Sequence, residues 1–600
     1  MDRETVSTPA EPVQPSIPLT ANPSATSEKA AVSEVTAEKD GEEPQYLGFR
    51  ALCLMMASLI LVILIVTLDA SIIATAIPRI TDHFHTIADI GWYGAAYLLS
   101  NAALQPLTGK VYTYFSLKYS FVGFVALFEV GSLICALATS SSMLVVGRAV
   151  AGMGGSGLQN GALTIIAIAA PPHQRPTLMG VLMSMAGAGQ LIGPLIGGAL
   201  TQHASWRWCF WINLPVGAVT CGVLILIQFP PYKARKANWT LRDVIHDFDI
   251  TGFAIFAPAC IMLLLALQWG GTVHPWSSAT VIGLLCGSGG AFIVFFLWEV
   301  RQKDAAMIPM SLMRRRVIYS SMLTAAFQFG GLLLFSYYLP LWFQVIRGAS
   351  PTMSAVYILP TFFTQILSAI FAGVMVTRIG YLAPFSAIGS AAAAIGSGLM
   401  STLTIHSNVG TWIGYQIING IGRGMSIQQP IQAAQAVVSS DMIPTVTASV
   451  AWAQTFGAAL FLGLAQTVFL NLLRSALRTY APEVDAQDVI ATGATNYLAR
   501  LTGADHAVER NQVLEAYNEA ITHTFYLAVG CGAASFVTSL GIGKTRVERR
   551  QKKNDKEDKK DLEKGHEQES SADSQTIQTG EEPGPVEIDR EVTNERKHKG

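Results

Sequence analysis

The sequence predicts an all-α protein that crosses a lipid bilayer many times. Three observations carry that prediction. The 600 residues are 51% hydrophobic and only 14% charged, where soluble chains carry about 25% charged residues. Apolar runs long enough to span, about 20 residues each, recur along most of the chain. Basic residues gather in every second loop, the bias that sets membrane orientation.

The runs place spans at 49–76, 91–109, 119–139, 143–169, 177–200, 209–229, 250–268, 278–298, 319–346, 353–376, 383–403, 410–434, 446–473 and 523–542. That is about fourteen, an even number, so both termini share a side. With the N-terminus cytosolic, the inner loops hold Lys110, Lys118, His173, Arg175, Lys233, Arg235, Lys236 and Arg242. Arg301, Lys303, Arg314, Arg315, Arg316, Arg378 and the flank from Lys544 continue the pattern. The short outer loops hold only Arg79, Arg207 and Arg347. Both termini are therefore expected in the cytosol. The sequon at Asn238 falls inside and should stay unglycosylated. Segment 474–522 is expected to be a long extracellular loop.

The ends differ from the spans. Residues 1–46 are rich in Ser, Thr, Glu, Pro and Ala, and residues 544–600 in Lys, Glu, Asp and Gln. Both are expected to be disordered tails, the first not a signal peptide. The seven cysteines lie mostly inside apolar runs without a CxxC pair, which points to small buried hydrophobes rather than metal ligands or disulfides. A net charge of -1 argues against nucleic acid as a partner.

The two halves echo each other. "AGMGGSGLQN" (151–160) in the fourth span resembles "NGIGRGMSIQ" (419–428) in the twelfth. Gly187 and Gly193 follow the first, Gly457 and Gly463 the second. Gly109 followed by Lys118 matches Gly373 followed by Arg378. Spans one to six (47–230) thus repeat as spans nine to fourteen (317–543), with an inserted pair in 231–316. Parallel six-helix repeats are a transporter architecture with the substrate bound between the halves.

Ionisable residues inside spans are costly and so are functional candidates. Four stand out: Asp69, Glu129, Arg148 and Arg423. At 1.5 Å per residue, Asp69 lies about 29 Å along the first span, level with Arg148 on the inward-running fourth. The two can pair or share a polar network. Glu129, near mid-span, is a second proton site, a substrate contact or a buried hydrogen-bonded acid. Arg423 faces either Glu129, an anionic substrate group or a structural partner. Gln159, Asn160, Gln190, Gln328, Gln428, Gln429 and Gln454 are the expected polar cavity lining. Trp452 joins them as a ring face for an apolar ligand.

No energy-coupling nucleotide site is evident. "GIGKT" (541–545) lacks the glycine a phosphate loop needs at 538, where Thr538 stands. HExxH and GxSxG are absent too. The chain is expected not to be an enzyme and to need no cofactor or metal.

These residues carry a family resemblance. "LDASIIATAIPRI" (68–80), "GRAVAGMGGSG" (147–157), "GAGQLIGPLIGGAL" (187–200) and "WRWCFWINLPVG" (206–217) resemble the signatures of the fourteen-span drug:proton antiporters of the major facilitator superfamily. "LALQWGG" (265–271) and "YYLPLWFQVIRGASP" (337–351) resemble its fungal branch, which exports toxins and other secondary metabolites. The likeness covers 47–542. It implies a major facilitator fold of two six-helix bundles plus two linker helices, and proton-coupled efflux of small, largely apolar organic molecules by alternating access. It implies proton coupling at Asp69 and Arg148. A monomer in the plasma membrane, or the vacuolar membrane, is expected. The competing expectations are a siderophore or basic amino-acid transporter of the same fold, and a non-transporting membrane sensor. One motif departs. The family's loop after the second span reads Gly-x4-Asp-x2-Gly-x-Arg/Lys; here Gly109 and Lys118 match, but Thr113 replaces the acid and Ser116 the glycine. Lys110 and Lys118 then need another partner, with Glu299 a candidate, or this half gates differently.

The stretch "SMAGAGQLIGPLIGGAL" (184–200) holds five glycines and Pro194, although glycine costs a helix roughly 1 kcal/mol and proline about 3. Gly189, Gly193 and Gly197 recur every fourth residue, a stripe that lets another helix approach closely. That neighbour is expected in the other half. Gly109, Lys118, Gly187 and Pro194 are the further gating candidates, Pro194 by bending the helix.

Overall fold

The structure is a computed structural model that describes residues 46–84, 90–227, 248–271, 273–492, 497–498, 500–501 and 506–546. Nearly all of both expected tails, and the loop that carries Lys233, Arg235, Lys236, Asn238 and Arg242, lie outside the described residues. Fourteen long helices follow in order: α1 (Phe49–Phe84), α2 (Ile90–Tyr114), α3 (Leu117–Ala136), α4 (Ser141–Ala169), α5 (Arg175–His203), α6 (Trp208–Leu226) and α7 (Ile250–Trp269), then α8 (Ala279–Gln302), α9 (Arg316–Ile346), α10 (Leu359–Ile379), α11 (Ala383–Met400), α12 (Val409–Ser426), α13 (Ile443–Tyr480) and α14 (Ala507–Ser539). Among the described residues there is no strand, only two isolated bridges, Gly270–His274 and Tyr381–Arg546. Side chains start several helices: Ser140, Asp249, Ser278 and Asn408 each accept a first-turn backbone N–H, which satisfies donors the helix cannot.

Eleven helical segments among the described residues are long and apolar enough to cross a membrane. Helices α2, α4 and α12 are not among them. All three are rich in glycine and polar residues, and much of each is buried against other helices. Their burial lets them carry groups that lipid would not tolerate.

The repeat read from the sequence recurs in the packing. Helix α1 packs on α5, α2 on α4 and α3 on α4; α9 packs on α13, α10 on α12 and α11 on α12. A side chain at Gly152 would strike Tyr97 and Ser100 of α2, and one at Gly420 would strike Thr361 and Thr364 of α10. Gly154 meets Phe128 of α3, as Gly422 meets Ala393 of α11. Only glycine permits these approaches. One pairing shifts register. Gly187 approaches Phe362 of α10, whereas Gly457 packs on Ala326 of α9. The packing counterpart of Gly457 is Gly189, which sits on α1; each lies 37 residues past its partner glycine, 189 minus 152 and 457 minus 420.

Two further expectations are corrected. Segment 474–522 is not mainly a loop: α13 runs to Tyr480, a short helix covers Ala486–Thr492, and α14 begins at Ala507. Leu473, Leu477, Val489, Val513, Ala516 and Tyr517 form a core there, so its apolar residues extend the helices beyond the spans. Trp452 does not face a central cavity. It stacks on Phe456 at 5.0 Å and meets Phe256 of α7 at 5.5 Å, fastening the linker pair α7–α8 to the second half.

Candidate functional site

Asp69 and Arg148 form a buried ion pair. Arg148 Nη1 donates to Asp69 Oδ2 at 2.6 Å, with the two side chains 1% and 0% exposed. Arg148 Nε donates to the Tyr93 carbonyl at 3.1 Å, and the guanidinium lies 4.7 Å from the Tyr97 ring. Asn213 of α6 donates to Asp69 Oδ1 at 3.2 Å and to Ser132 Oγ at 3.1 Å. Five helices of the first half thus meet at this pair, α1, α4 and α6 at the carboxylate itself and α2 and α3 through Tyr93 and Ser132. The sequence singled out the pair, not Asn213 or Ser132. A lone asparagine inside the apolar run "CFWINLPVG" was the available signal.

Glu129 lies one turn before Ser132 on α3. Its carboxyl fills the space left by Gly217 of α6, and neither oxygen has a hydrogen-bond partner. It therefore belongs to the first-half interior and does not meet Arg423. Arg423 donates instead to the Gly331 carbonyl at 2.8 Å and lies 4.8 Å from the Phe335 ring, both on α9.

The halves touch along two seams, at the end of the bundle that carries residues 47 and 546. In the first, α2 meets α13. A side chain at Gly109 would come within 2.7 Å of Ala448 Cβ and 3.0 Å of Thr445 Cα. One turn on, Thr113 donates to the Gly109 carbonyl or shares a hydrogen with Thr445 Oγ1 at 3.1 Å. The residue that departs from the family's loop motif is thus a hydroxyl bridge between the halves. In the second seam, α5 meets α10. Thr177 and Thr377 hydroxyls lie 3.1 Å apart, and a side chain at Gly373 would stand 2.7 Å from the Pro176 carbonyl. Further along α5 the contact loosens: a Cβ at Gly180 would stand 3.1 Å from Ala369 O, and one at Gly187 3.9 Å from the Phe362 ring. Gln190, the next residue on that face, is exposed. The seam is a wedge, closed at one end.

This geometry corrects the stripe. Side chains at Gly189, Gly193 and Gly197 would strike Thr67, Ser71 and Thr75 of α1. The stripe is fixed inside the first half. The inter-half face of α5 is the neighbouring row Thr177, Gly180, Ser184 and Gly187, with Ser184 also reaching the Ile366 carbonyl. Helix α5 runs unbroken through Pro194. Lys118 is not a latch to Glu299: its Nζ donates to the Ile225 and Ile227 carbonyls at the end of α6. Lys110 donates to the Ala305 carbonyl, and Glu299 accepts from the Met307 and Ile308 backbone.

Asn160 donates to Thr108 Oγ1 at 3.0 Å, and Gln159 is half-buried beside it. Gln428, Gln429 and Gln454 are buried, with Gln429 bonded to the Met425 carbonyl. Gln328 and Arg423 do share one small cavity inside the second half.

The sequence model of the Major Facilitator Superfamily matches residues 59–462. The MFS-type transporter pigP of Monascus ruber is 47% identical over 85% of this chain and 88% of its own length. Efflux pump mlcE of Penicillium citrinum is 46% identical over 85% and 94%. Among solved structures, the proton:xylose symporter XylE bound to a deoxyglucose analogue superposes with a TM-score of 0.54 at 14% identity, covering 81% of this chain and 95% of that one. A bacterial homologue of the human lysosomal transporter Spinster gives 0.51 at 15% identity, covering 84% and 100%. These two agree in fold alone. A helical membrane-protein architecture, an internal repeat and two inter-half seams therefore coincide with the family match: the chain is a multi-pass membrane protein and belongs to the major facilitator superfamily of transporters, not to an enzyme family.

Proposed function

We propose that the protein is a proton-coupled exporter of small, largely apolar organic molecules. The observation that carries the coupling is the Asp69–Arg148 pair, an acid and a base buried among five helices of the first half. The Asp69 carboxylate is matched by the Arg148 guanidinium and the Asn213 amide. A conformational change that parts α1 from α4 takes the cation from the carboxylate and lets a proton replace it, which is what coupling requires. The names of the similar efflux pumps support the direction of transport.

In this reading all fourteen helices span, both termini are cytosolic, and the chain works as a monomer in the plasma membrane. The domains are 47–230, the linker pair 231–316, and 317–543. The seams at Gly109–Ala448 and Gly373–Pro176 then close the cytosolic side, and the exposed flank beyond Gln190 opens outward. Parting the seams gives the inward-facing state, and substrate binds between the halves. The test is Asp69→Asn in everted vesicles with an imposed pH gradient. Gradient-driven uptake of an apolar fluorescent dye should vanish while gradient-free dye equilibration persists. Undiminished gradient-driven uptake would sink the coupling assignment.

A further inference from the structure

The two repeats treat their buried arginines differently. In the first, Arg148 of α4 meets α1, α2 and α6, and α1 supplies the Asp69 carboxylate. In the second, Arg423 of α12 faces α9, α11 and α14. No carboxylate answers it. The ion pairs among the described residues are Asp69–Arg148, Asp488–Arg500, His506–Glu509 and His523–Glu519. Arg423 is 7% exposed, and among the described residues its guanidinium donates one hydrogen bond, to the Gly331 carbonyl. A buried, unpaired cation costs several kcal/mol.

A space stands where the carboxylate is missing. Beside Arg423 lies a cavity of about 30 Å³, walled by Gln328, Gly331, Ser390, Ser426 and Ser535. A water-sized group needs roughly 10–15 Å³ by this measure, so the cavity holds two. Gly331 contributes no side chain, and a Cβ there would meet nothing nearer than Cys531 Cβ at 3.4 Å. Gln328 leaves its Oε1 without a partner, while its Nε2 donates to Ser390 Oγ at 3.3 Å. The unused valences are thus guanidinium donors plus one amide acceptor. An anion satisfies the first and a water the second. Every wall belongs to the second half, and the space suits a small ion.

We infer that the Arg423 cavity is a binding site for one small monovalent anion of chloride or formate size, which replaces the carboxylate that the first repeat builds in. It neutralises Arg423 and ties α9 to α12, and so stabilises the second half independently of any proton gradient. The inference goes beyond the transport reading and does not depend on it.

The test uses the purified full chain in detergent, exchanged into gluconate, an anion too large for the cavity. Chloride and formate should each raise the thermal unfolding midpoint by a few degrees and saturate, as expected for a ligand that binds only the folded state. Acetamide, neutral and of similar size, should not. Arg423→Gln should abolish the response. Gly331→Asp, which supplies the carboxylate internally, should abolish it too while raising the midpoint in gluconate. A non-saturating response, an equal response to acetamide, or the same chloride response in Gly331→Asp as in the parent would each overturn the site. If Arg423→Gln does not fold, Gly331→Asp and the acetamide comparison still decide. Because no flux is measured, failure here leaves the export reading intact, and loss of coupling in Asp69→Asn vesicles leaves this one intact.

Discussion

Gly109→Ala should hold the two halves apart. Its added Cβ would stand 2.7 Å from Ala448 Cβ, 3.0 Å from Thr445 Cα and 3.1 Å from the Pro444 carbonyl. Carbon atoms prefer about 3.5–4.0 Å, so α2 and α13 must separate by about 1 Å at this point, and a gap of that size forfeits a quarter to a half of each contact. Overpacking of this kind costs about 1–3 kcal/mol. The penalty falls on the closed seam alone, so it shifts the closed–open balance about 5- to 150-fold. The reporter is Thr113→Cys with Thr445→Cys, since those hydroxyls lie 3.1 Å apart across the seam. The parent should have Cys53, Cys221 and Cys286 replaced by serine, because these thiols are not buried. The rate of disulfide formation should fall by at least fivefold when Gly109→Ala is added, with the unfolding midpoint little changed. A cross-linking rate within twofold of the parent would refute the seam.

Gly193→Ala should behave in the opposite way: its Cβ strikes Ser71 inside the first half, so stability falls by about 1–3 kcal/mol while the Thr113–Thr445 cross-linking rate holds. Ser71→Gly should recover much of the loss, measured by thermal unfolding. Asp69→Asn strands Arg148 in the interior and should cost about 3–5 kcal/mol; Asp69→Asn with Arg148→Gln should regain part of that stability but no gradient-driven transport. Trp452→Ala removes the ring that meets Phe256 and Phe456 and should cost up to about 3 kcal/mol without weakening substrate binding. A tenfold loss of apparent affinity would place Trp452 in the substrate path instead.

What the sequence shows plainly is period and rarity. Span positions, the glycine echo between 152 and 420, and the four ionisable residues in apolar runs all follow from those two properties. Depth along a helix follows as well, because the rise per residue is fixed, and this brought Asp69 level with Arg148. Direction around the helix axis does not follow. Arg423 and Glu129 both stand out as ionisable residues inside spans, yet one points at Gly331 and the other at Gly217. Lys118 matches a gating motif by spacing, yet its reach ends on the carbonyls of α6. Only the packing of neighbours decides these.

Helix α5 shows why such a choice has mechanical consequences. It carries two rows of small residues. The row Gly189, Gly193, Gly197 would place a Cβ within 2.9–3.1 Å of the Leu64, Leu68 and Ile72 carbonyls. That spacing is even over about two turns, so α1 and α5 run together at constant close range. The row Thr177, Gly180, Ser184, Gly187 loosens from 3.1 Å at Gly180 to 3.9 Å at Gly187, and Gln190 beyond it is exposed. Close-packed contacts do not slide or part in small steps. The even row can therefore only transmit motion, and the graded row is where motion can occur. Glycines thus rivet one face of α5 at Gly189, Gly193 and Gly197 and, two residues earlier at Gly187, form the loose end of the seam between the halves.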